Sequence, residues 1–162
     1  MSRKARLLAA LALAAALGGC RSKLPYEDKS EADLERMLRD PDPKVQAQAA
    51  YGISLNADAA RRLVPELTAA LNSKDTLVRE GAARALAKAG PQAGTAVPAL
   101  TTALADPAWT VQRQAALALG QIGPAARPAV PALEMLRARS DKPVRDAAER
   151  ALRQIRAKDA KR

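Results

Sequence analysis

The stretch Asp106–Leu133, DPAWTVQRQAALALGQIGPAARPAVPAL, contains one complete unit of a repeat that runs through most of the chain. Its core valine and its Val-Pro pair both return at a constant period of 33 residues. The valines are Val45, Val78, Val111 and Val144, and the pairs are Val64-Pro65, Val97-Pro98 and Val130-Pro131. A fixed period of this size is typical of a solenoid, in which each unit is one supersecondary element stacked on its neighbours.

The composition favours thin stacks of helices over one large core. Apolar types make up 48% of the 162 residues, but phenylalanine is absent and aromatic residues are only 2%. Alanine dominates, and it has the highest intrinsic helix propensity and lets helices approach closely. The length is sufficient for one domain. The chain therefore suits a fold that buries many small side chains.

The second helix of each unit follows a turn that contains aspartate and, in most units, proline, which together favour a helix start. Apolar residues four apart then lie on one helical face. These stripes are Val45/Ala49/Ile53, Val78/Ala82/Leu86, Val111/Ala115/Leu119 and Val144/Ala148/Leu152. Gly90 and Gly123, each followed by proline, are predicted to end second helices in a left-handed conformation, with Asn56 in the equivalent place.

The first helix of the chain begins with Ser30 and Asp33, which predict a capping box. In later units Pro65, Pro98 and Pro131 are tolerated only in a first helical turn, so those helices should start near residues 61, 95 and 128. The predicted pairs are 31–39 with 42–55, 60–71 with 76–88, 95–104 with 109–121, and 128–138 with 143–156. The predicted fold is an all-α, right-handed α-solenoid of four antiparallel helix pairs over residues 30–157, followed by a basic tail at 158–162.

The recurring pattern D-P-x-x-x-V-[RQ]-x-x-A-A-x-A-L-x-x-[IA]-G, followed by V-P-A-L, closely resembles the short HEAT-like repeats named after the phycobilisome lyases. The resemblance covers residues 31 to about 156. The ankyrin T-P-L-H-x-A signature is missing, and the aromatic residues Trp109 and Tyr51 do not recur as tetratricopeptide repeats require. The resemblance is specific for fold and weak for function, because that family includes lyases, hydroxylases and plain scaffolds.

The N-terminal residues 1–19 predict a lipoprotein signal peptide. A cationic start precedes an apolar run that is too short to span a bilayer. Leu17-Gly18-Gly19-Cys20 resembles the lipobox of bacterial lipoproteins, although Gly18 is less usual there than Ala or Ser. The resemblance implies cleavage before Cys20 and acylation of its sulfur. The alternative is a buried cysteine at the end of an ordinary helix.

Residues 20–29 are then predicted to be the lipidated cysteine and a short polar tether, so that the domain acts close to a membrane. Two or more acyl chains give stable anchoring. Arg21 follows the cysteine, and by analogy with proteobacterial lipoproteins this favours the periplasmic face of the outer membrane over the inner membrane. The predicted location is thus the bacterial cell envelope.

The charge and the missing residue types limit the function classes. The net charge of +10 would suit a nucleic acid or another polyanion, but the export leader opposes nucleic-acid binding. Histidine is absent, which removes the His-Glu iron sites of HEAT-like hydroxylases, and acylation of Cys20, the single cysteine, would remove a thiol nucleophile. We therefore expect no catalytic residue, metal or cofactor. The basic C-terminus fits a helix dipole or, alternatively, an anionic partner.

Candidate partner-binding residues come from positions that vary between units. Trp109 replaces Pro43, Thr76 and Lys142 at its position, and an exposed tryptophan is either an interface hot spot or incidental surface packing. Tyr51 and Arg84 share another column of the second-helix layer. Arg79 and Arg145 share a column with Gln46 and Gln112, which forms either a structural ladder with the turn aspartates Asp40, Asp75, Asp106 and Asp141 or a binding strip. We expect a monomer with a protein partner.

Overall fold

The computed structural model describes Tyr26, residues 28–139 and residues 141–159. The predictions about the signal peptide, the lipobox, Cys20, the tether up to Pro25 and the last three residues lie outside this part of the chain. The described residues form helices and turns and no strand. They build four consecutive helical units, which confirms the predicted all-α solenoid.

Each unit contributes a first helix and a longer second helix. The first unit consists of α1 (Glu31–Leu38) and α2 (Pro43–Leu55), and the second of α3 (Ala57–Arg62), α4 (Val64–Ala70) and α5 (Thr76–Ala89). The third unit consists of a 3₁₀ helix (Gly90–Ala96), α6 (Val97–Ala103) and α7 (Trp109–Ile122). The fourth consists of a 3₁₀ helix (Gly123–Ala129), α8 (Val130–Arg139) and α9 (Lys142–Asp159), so the last helix continues past the predicted residue 156.

The helix starts follow the local chemistry of the turns. Ser30 and Asp33 form the predicted capping box, in which each side chain accepts the backbone N–H of the other residue. Asp42 and Asp75 cap α2 and α5 by accepting backbone N–H groups of the first turn. These side chains satisfy N–H groups that have no partner within the helix.

The helices α4, α6 and α8 begin at the valines of the Val-Pro pairs, slightly after the predicted positions. Each proline is the second residue of its helix, where the missing N–H has no helical partner to lose. The residues predicted as the first turn belong instead to α3 or to one of the two 3₁₀ helices. Each proline therefore lies in a first helical turn, as predicted, and the helices begin two or three residues later than predicted.

The two predicted stop glycines have positive φ but are not left-handed helical. Gly90 has φ 64° and ψ −134°, and Gly123 has φ 80° and ψ −133°. This is the mirror image of an extended conformation, which side chains other than glycine rarely adopt. The prediction for Asn56 is wrong. Asn56 is extended, with φ −115° and ψ 112°, and caps α3 by accepting the N–H groups of Asp58 and Ala59.

The core lies between successive second helices, as the stripes predict. Val78, Ala82, Leu86, Val111, Ala115 and Leu119 are completely buried, and Val45 at the start of α2 is the only half-buried stripe residue. Small residues allow the helices to approach closely. A Cβ added at Gly120 of α7 would lie 2.9 Å from the backbone Cα of Ala151 in α9, so this position excludes any side chain.

A substitution at Gly90 tests the energetic effect of its backbone conformation without a change in side-chain packing. We expect Gly90→Ala to destabilise the chain by about 1–3 kcal/mol, because alanine must adopt a positive φ there. A Cβ at this position would meet no atom within 4 Å, so steric overlap contributes nothing. The free energy of unfolding, measured by urea denaturation, checks the change.

Gly94→Ala in the same 3₁₀ helix is the matched control. Its φ is not positive, and its Cβ would make an ordinary contact of 3.7 Å with Ala125. The free energy of unfolding should change by less than about 1 kcal/mol in either direction. Equal losses in the two variants would contradict a conformational role for Gly90.

Candidate partner-binding surface

Large apolar side chains remain exposed on the second-helix layer. Among the described residues, Tyr51, Leu55, Leu77 and Trp109 lie on second helices, and Met135 lies on α8. Trp109 is the first residue of α7 and is 52% exposed, as the sequence predicts, and Leu77 is 65% exposed. Their positions on the helices lie outside the buried stripes, so they face solvent.

Tyr51 and Arg84 come together as one cluster. The guanidinium carbon of Arg84 lies 4.8 Å from the centroid of the Tyr51 ring, which is a cation–π contact. The ring of Tyr26 packs on the Tyr51 ring with centroids 5.2 Å apart. Tyr26 belongs to the predicted tether, and it occupies the space beside Gly52, where a Cβ would lie only 2.8 Å from the Tyr26 Cβ. The end of the predicted tether is therefore docked on the first unit.

Trp109 lines a separate groove between the third and fourth units, which we call the Trp109 groove. Its volume is about 490 Å³, and its lining includes Leu104, Pro107, Trp109, Met135, Leu136 and Val144. Arg113, one turn after Trp109, lies with its guanidinium carbon 6.0 Å from the ring centroid. The cavity around Tyr51 shares no lining residue with this groove. The two aromatic candidates thus belong to two distinct places on the surface.

Arg79 is bonded within the solenoid. Its Nε and Nη2 donate to the two carboxylate oxygens of Asp106 at 2.7 and 3.0 Å, which links the second unit to the third. Its Nη1 donates to the carbonyl oxygens of Ser73 and Lys74 at 2.9 and 3.0 Å. The Arg79 and Asp106 side chains are only 12% and 8% exposed. These contacts favour the structural interpretation of Arg79 over a binding strip.

The pairing shifts both ionisations. Burial alone would raise the pKa of Asp106, but the hydrogen bonds from Arg79 and from the Ala108 N–H, with the charge of Arg79, lower that pKa overall. The hydrogen bonds to Asp106 raise the pKa of Arg79. Both groups are therefore held in their charged forms.

The other residues at the repeat position of Arg79 do not connect one unit to the next. Gln46 and Gln112 each donate to the carbonyl oxygen six residues earlier, at 2.6 Å, and Arg145 is exposed on α9. The predicted single ladder of aspartates is wrong, because the four residues occupy two different repeat positions. Asp40 and Asp106 lie five residues before a core valine, whereas Asp75 and Asp141 lie three before and stand at helix N-caps.

Sequence reasoning missed Met135 and the ion pairs that connect first helices. Arg39 pairs with Glu66 at 3.0 Å, and Arg62 pairs with Glu31 at 2.7 Å. Met135 could have been found by comparing the fourth unit with the second, because the residue at the same repeat position in the second unit is Ala69. Each ion pair joins two residues that occupy different positions of the 33-residue repeat. The repeat pattern therefore could not predict these pairs.

Many of the arginines that make the chain basic are paired with carboxylates. The pairs include Arg36–Asp33, Arg39–Glu35, Arg39–Glu66, Arg61–Asp58, Arg62–Glu31, Arg79–Asp106, Arg153–Glu149 and Arg156–Glu134. The last two partly neutralise the basic C-terminal cluster. No group of three or more potential metal-ligating side chains occurs among the described residues. In the same part of the chain, every helix is too short or too polar to cross a bilayer.

The Arg79–Asp106 link yields a stability prediction. We expect Arg79→Gln to destabilise the chain by about 3 kcal/mol at neutral pH, because it leaves the buried Asp106 carboxylate without its cation. Glutamine is the residue that two other units have at this position, so the local carbonyl bond can still form. Urea unfolding measures the loss, and Arg145→Gln, the same change at the exposed equivalent position, should cost less than about 0.5 kcal/mol.

The link also predicts a pH dependence. The folded pKa of Asp106 lies below its ordinary value of 3.8, so the ionised carboxylate stabilises the fold above that pH. This contribution is lost as the pH falls through the folded pKa. The difference in unfolding free energy between the wild-type chain and Arg79→Gln should therefore shrink as the pH is lowered to about 2. A difference that stays constant over this range would contradict the assignment.

Three comparisons with known proteins place this geometry in context. The family model for HEAT repeats matches residues 30–95 and 64–153. A comparison with curated proteins gave no match. Among solved structures, the chain is similar to an engineered protein, with 30% identity and a TM-score of 0.69 over 78% of this chain and 62% of that one.

Two further structures share the fold. The CpcE–CpcF complex of phycocyanin lyase from Nostoc sp. PCC7120 matches with 26% identity and a TM-score of 0.65, over 85% of this chain and 59% of that one. A designed armadillo repeat protein, solved in complex with peptide (KR)4, matches with 20% identity and a TM-score of 0.68, over 76% and 63%. The chain spans less than two thirds of the length of each of these structures. Because the family model covers the repeats from α1 to α9, the chain belongs to the family of HEAT-repeat proteins.

Proposed function

We propose that this chain is a membrane-anchored, non-catalytic scaffold or adaptor that binds a protein partner in the bacterial cell envelope. The observation that carries the proposal is the exposure of Trp109, Tyr51 and Leu77 on the second-helix layer of a solenoid. Aromatic residues are enriched at interfaces, and tryptophan and tyrosine provide much of the binding energy at hot spots. The partner contacts this layer.

The contacts of the aromatic side chains with their neighbours support the proposal. Tyr51 lies between the Tyr26 ring and the Arg84 guanidinium, and Trp109 lies at the start of a helix with Arg113 against its ring. Side chains that are already ordered lose less conformational entropy on binding. The fold is also compatible with peptide binding, since the designed armadillo protein of the same architecture was solved with a peptide.

The membrane anchor rests on the N-terminal sequence. Leu17-Gly18-Gly19-Cys20 follows a cationic and apolar leader, and its resemblance to a lipobox makes Cys20 the site of acylation. Arg21 favours the periplasmic face of the outer membrane. The non-catalytic assignment follows from the absence of histidine in the sequence and from acylation of the single cysteine. We propose a monomer without a cofactor.

A basic face that binds nucleic acid or another anionic polymer is the weaker hypothesis. The net charge supports it. However, the ion pairs of Arg39, Arg62, Arg79 and Arg156 reduce the field that a polyanion would meet.

The partner hypothesis predicts that the aromatic residues are required for capture. Mature protein carrying an affinity tag should retain an envelope protein after crosslinking, and Trp109→Ala or Tyr51→Ala should reduce the retained amount at least about tenfold. Gln92→Ala, an exposed change in the 3₁₀ helix before α6, is the control and should have no effect. Equal capture by all three variants would remove Trp109 and Tyr51 from the interface.

The anchor hypothesis predicts incorporation of labelled palmitate. Wild-type cells should yield labelled protein in the membrane fraction, whereas Cys20→Ala should abolish the label and release the protein from that fraction, because the thioether cannot form. A wild-type chain that is never labelled and stays in the cytosol would overturn the anchor and the envelope location together.

A further inference from the structure

The Trp109 groove has an equivalent two units earlier, and the two differ in a way that points to a ligand. Leu38 and Gln46 line the earlier groove, and Leu104 and Gln112, each 66 residues later, line the Trp109 groove. Both grooves lie where a second helix starts, between the first helices of adjacent units. The repeat therefore provides an internal comparison of the same place.

In the earlier groove the chain spans the opening with its own side chains. Arg39 and Glu66 line that groove and form an ion pair at 3.0 Å. The equivalent residues of the Trp109 groove are Ala105 and Ala132, which cannot form this pair. Met135 replaces Ala69 there and is 59% exposed. The Trp109 groove is therefore not bridged by such a pair, and its lining exposes polar and apolar surface in similar amounts.

Between these two grooves, the equivalent place is filled by an arginine of the chain itself. Arg79 lies there and bonds the Asp106 carboxylate and the carbonyl oxygens of Ser73 and Lys74. The third unit has Gln112 in place of Arg79. The Gln112 amide donates to the Asp106 carbonyl oxygen at 2.6 Å and is too short to cross the groove. The Trp109 groove thus lacks the guanidinium that its neighbour contains.

The Trp109 groove retains the groups that would bind a guanidinium. Asp141 is the only charged residue in its lining, and its carboxylate has no ion pair among the described residues. Pro107, which also lines the groove, has the repeat position of Lys74, whose carbonyl oxygen binds Arg79. In the fourth unit, Arg139 occupies the repeat position of Asp106. The carboxylate at this groove therefore belongs to Asp141, two residues further along the chain.

We propose that the Trp109 groove binds an arginine side chain of a partner peptide, in the place that Arg79 fills one unit earlier. The aliphatic part of the arginine packs between Trp109 and Met135, and its guanidinium pairs with the Asp141 carboxylate and the Pro107 carbonyl oxygen. This inference rests on the proposed function and names the chemistry of the partner.

The peptide (KR)4 is a suitable probe, and the full chain in nonionic detergent is the sample. Trp109 is the only tryptophan of the sequence, so its fluorescence reports directly on the groove. We expect a saturable change with a Kd below about 1 mM. The peptides (DE)4 and (LA)4 should produce none, because the groove has one carboxylate to match a cation. No change with (KR)4, or tighter binding of either other peptide, would overturn the proposal.

Variants distinguish the groove from general charge effects. Asp141→Asn should weaken (KR)4 binding by roughly two- to fivefold, the range of an exposed ion pair. Asp146→Asn removes the same charge from an exposed position on α9, the helix that follows Asp141, and should leave the affinity unchanged. Equal weakening by both variants would overturn the proposal, since it would assign binding to net charge alone.

Closing the groove is the strongest test. The double variant Ala105→Arg with Ala132→Glu rebuilds the Arg39–Glu66 pair in the Trp109 groove without changing the net charge, and it should abolish (KR)4 binding. Helical circular dichroism confirms the fold, and Gln112→Arg, which copies Arg79, provides a second way to fill the groove. Binding that persists in both folded variants would refute the site.

The outcome is separable from that of the proposed function. If a partner is captured from the envelope through Trp109 or Tyr51 but (KR)4 does not bind, the arginine site is wrong and the scaffold function stands. If neither aromatic residue affects capture, the proposed interface fails whatever the peptide does.

Discussion

The stacking of second helices on stripes of valine, alanine and leucine is the contact on which the rest of the structure depends. Ala82 and Ala115 are completely buried at the centre of these stripes, and Gly120 meets Ala151 with no space for a side chain. Close packing of small residues gains many dispersion contacts in addition to the burial of apolar area. The stripes also hold buried leucine and isoleucine, whereas Tyr51 and Trp109 lie outside these stripes and are exposed.

The turns between units add connections that differ from one unit to the next. The ion pair of Arg39 with Glu66 spans the first groove, and the bidentate pair of Arg79 with Asp106 fills the second. The third groove has neither and exposes Trp109. The uniform core thus fixes the spacing of the units, while the turn edge is free to vary. Of these three equivalent grooves, the third is the one that we propose for the partner.

The period and the residue types predicted most of the fold but less of the candidate site. Constant spacing of Val45, Val78, Val111 and Val144 gave the number of units and their buried faces, because helical periodicity and burial are local consequences of sequence. Exposure of Trp109 followed from its variation between units. The aspartates were misassigned, because two different turn positions can hold aspartate. Only the backbone shows whether an aspartate caps its own helix or pairs with a residue of a neighbouring unit.

The sequence by itself determined the architecture, the helix starts at Ser30, Asp42 and Asp75, and the need for glycine at positions 90 and 123, because these depend on groups within a few residues of each other. Only the tertiary structure decided that Arg79 is bonded to Asp106, that Tyr26 packs on Tyr51 and Gly52, and that Trp109 and Met135 line one groove. Those contacts join residues far apart in the chain, and their existence depends on side-chain length and on the distance between stacked units, which no repeat pattern specifies.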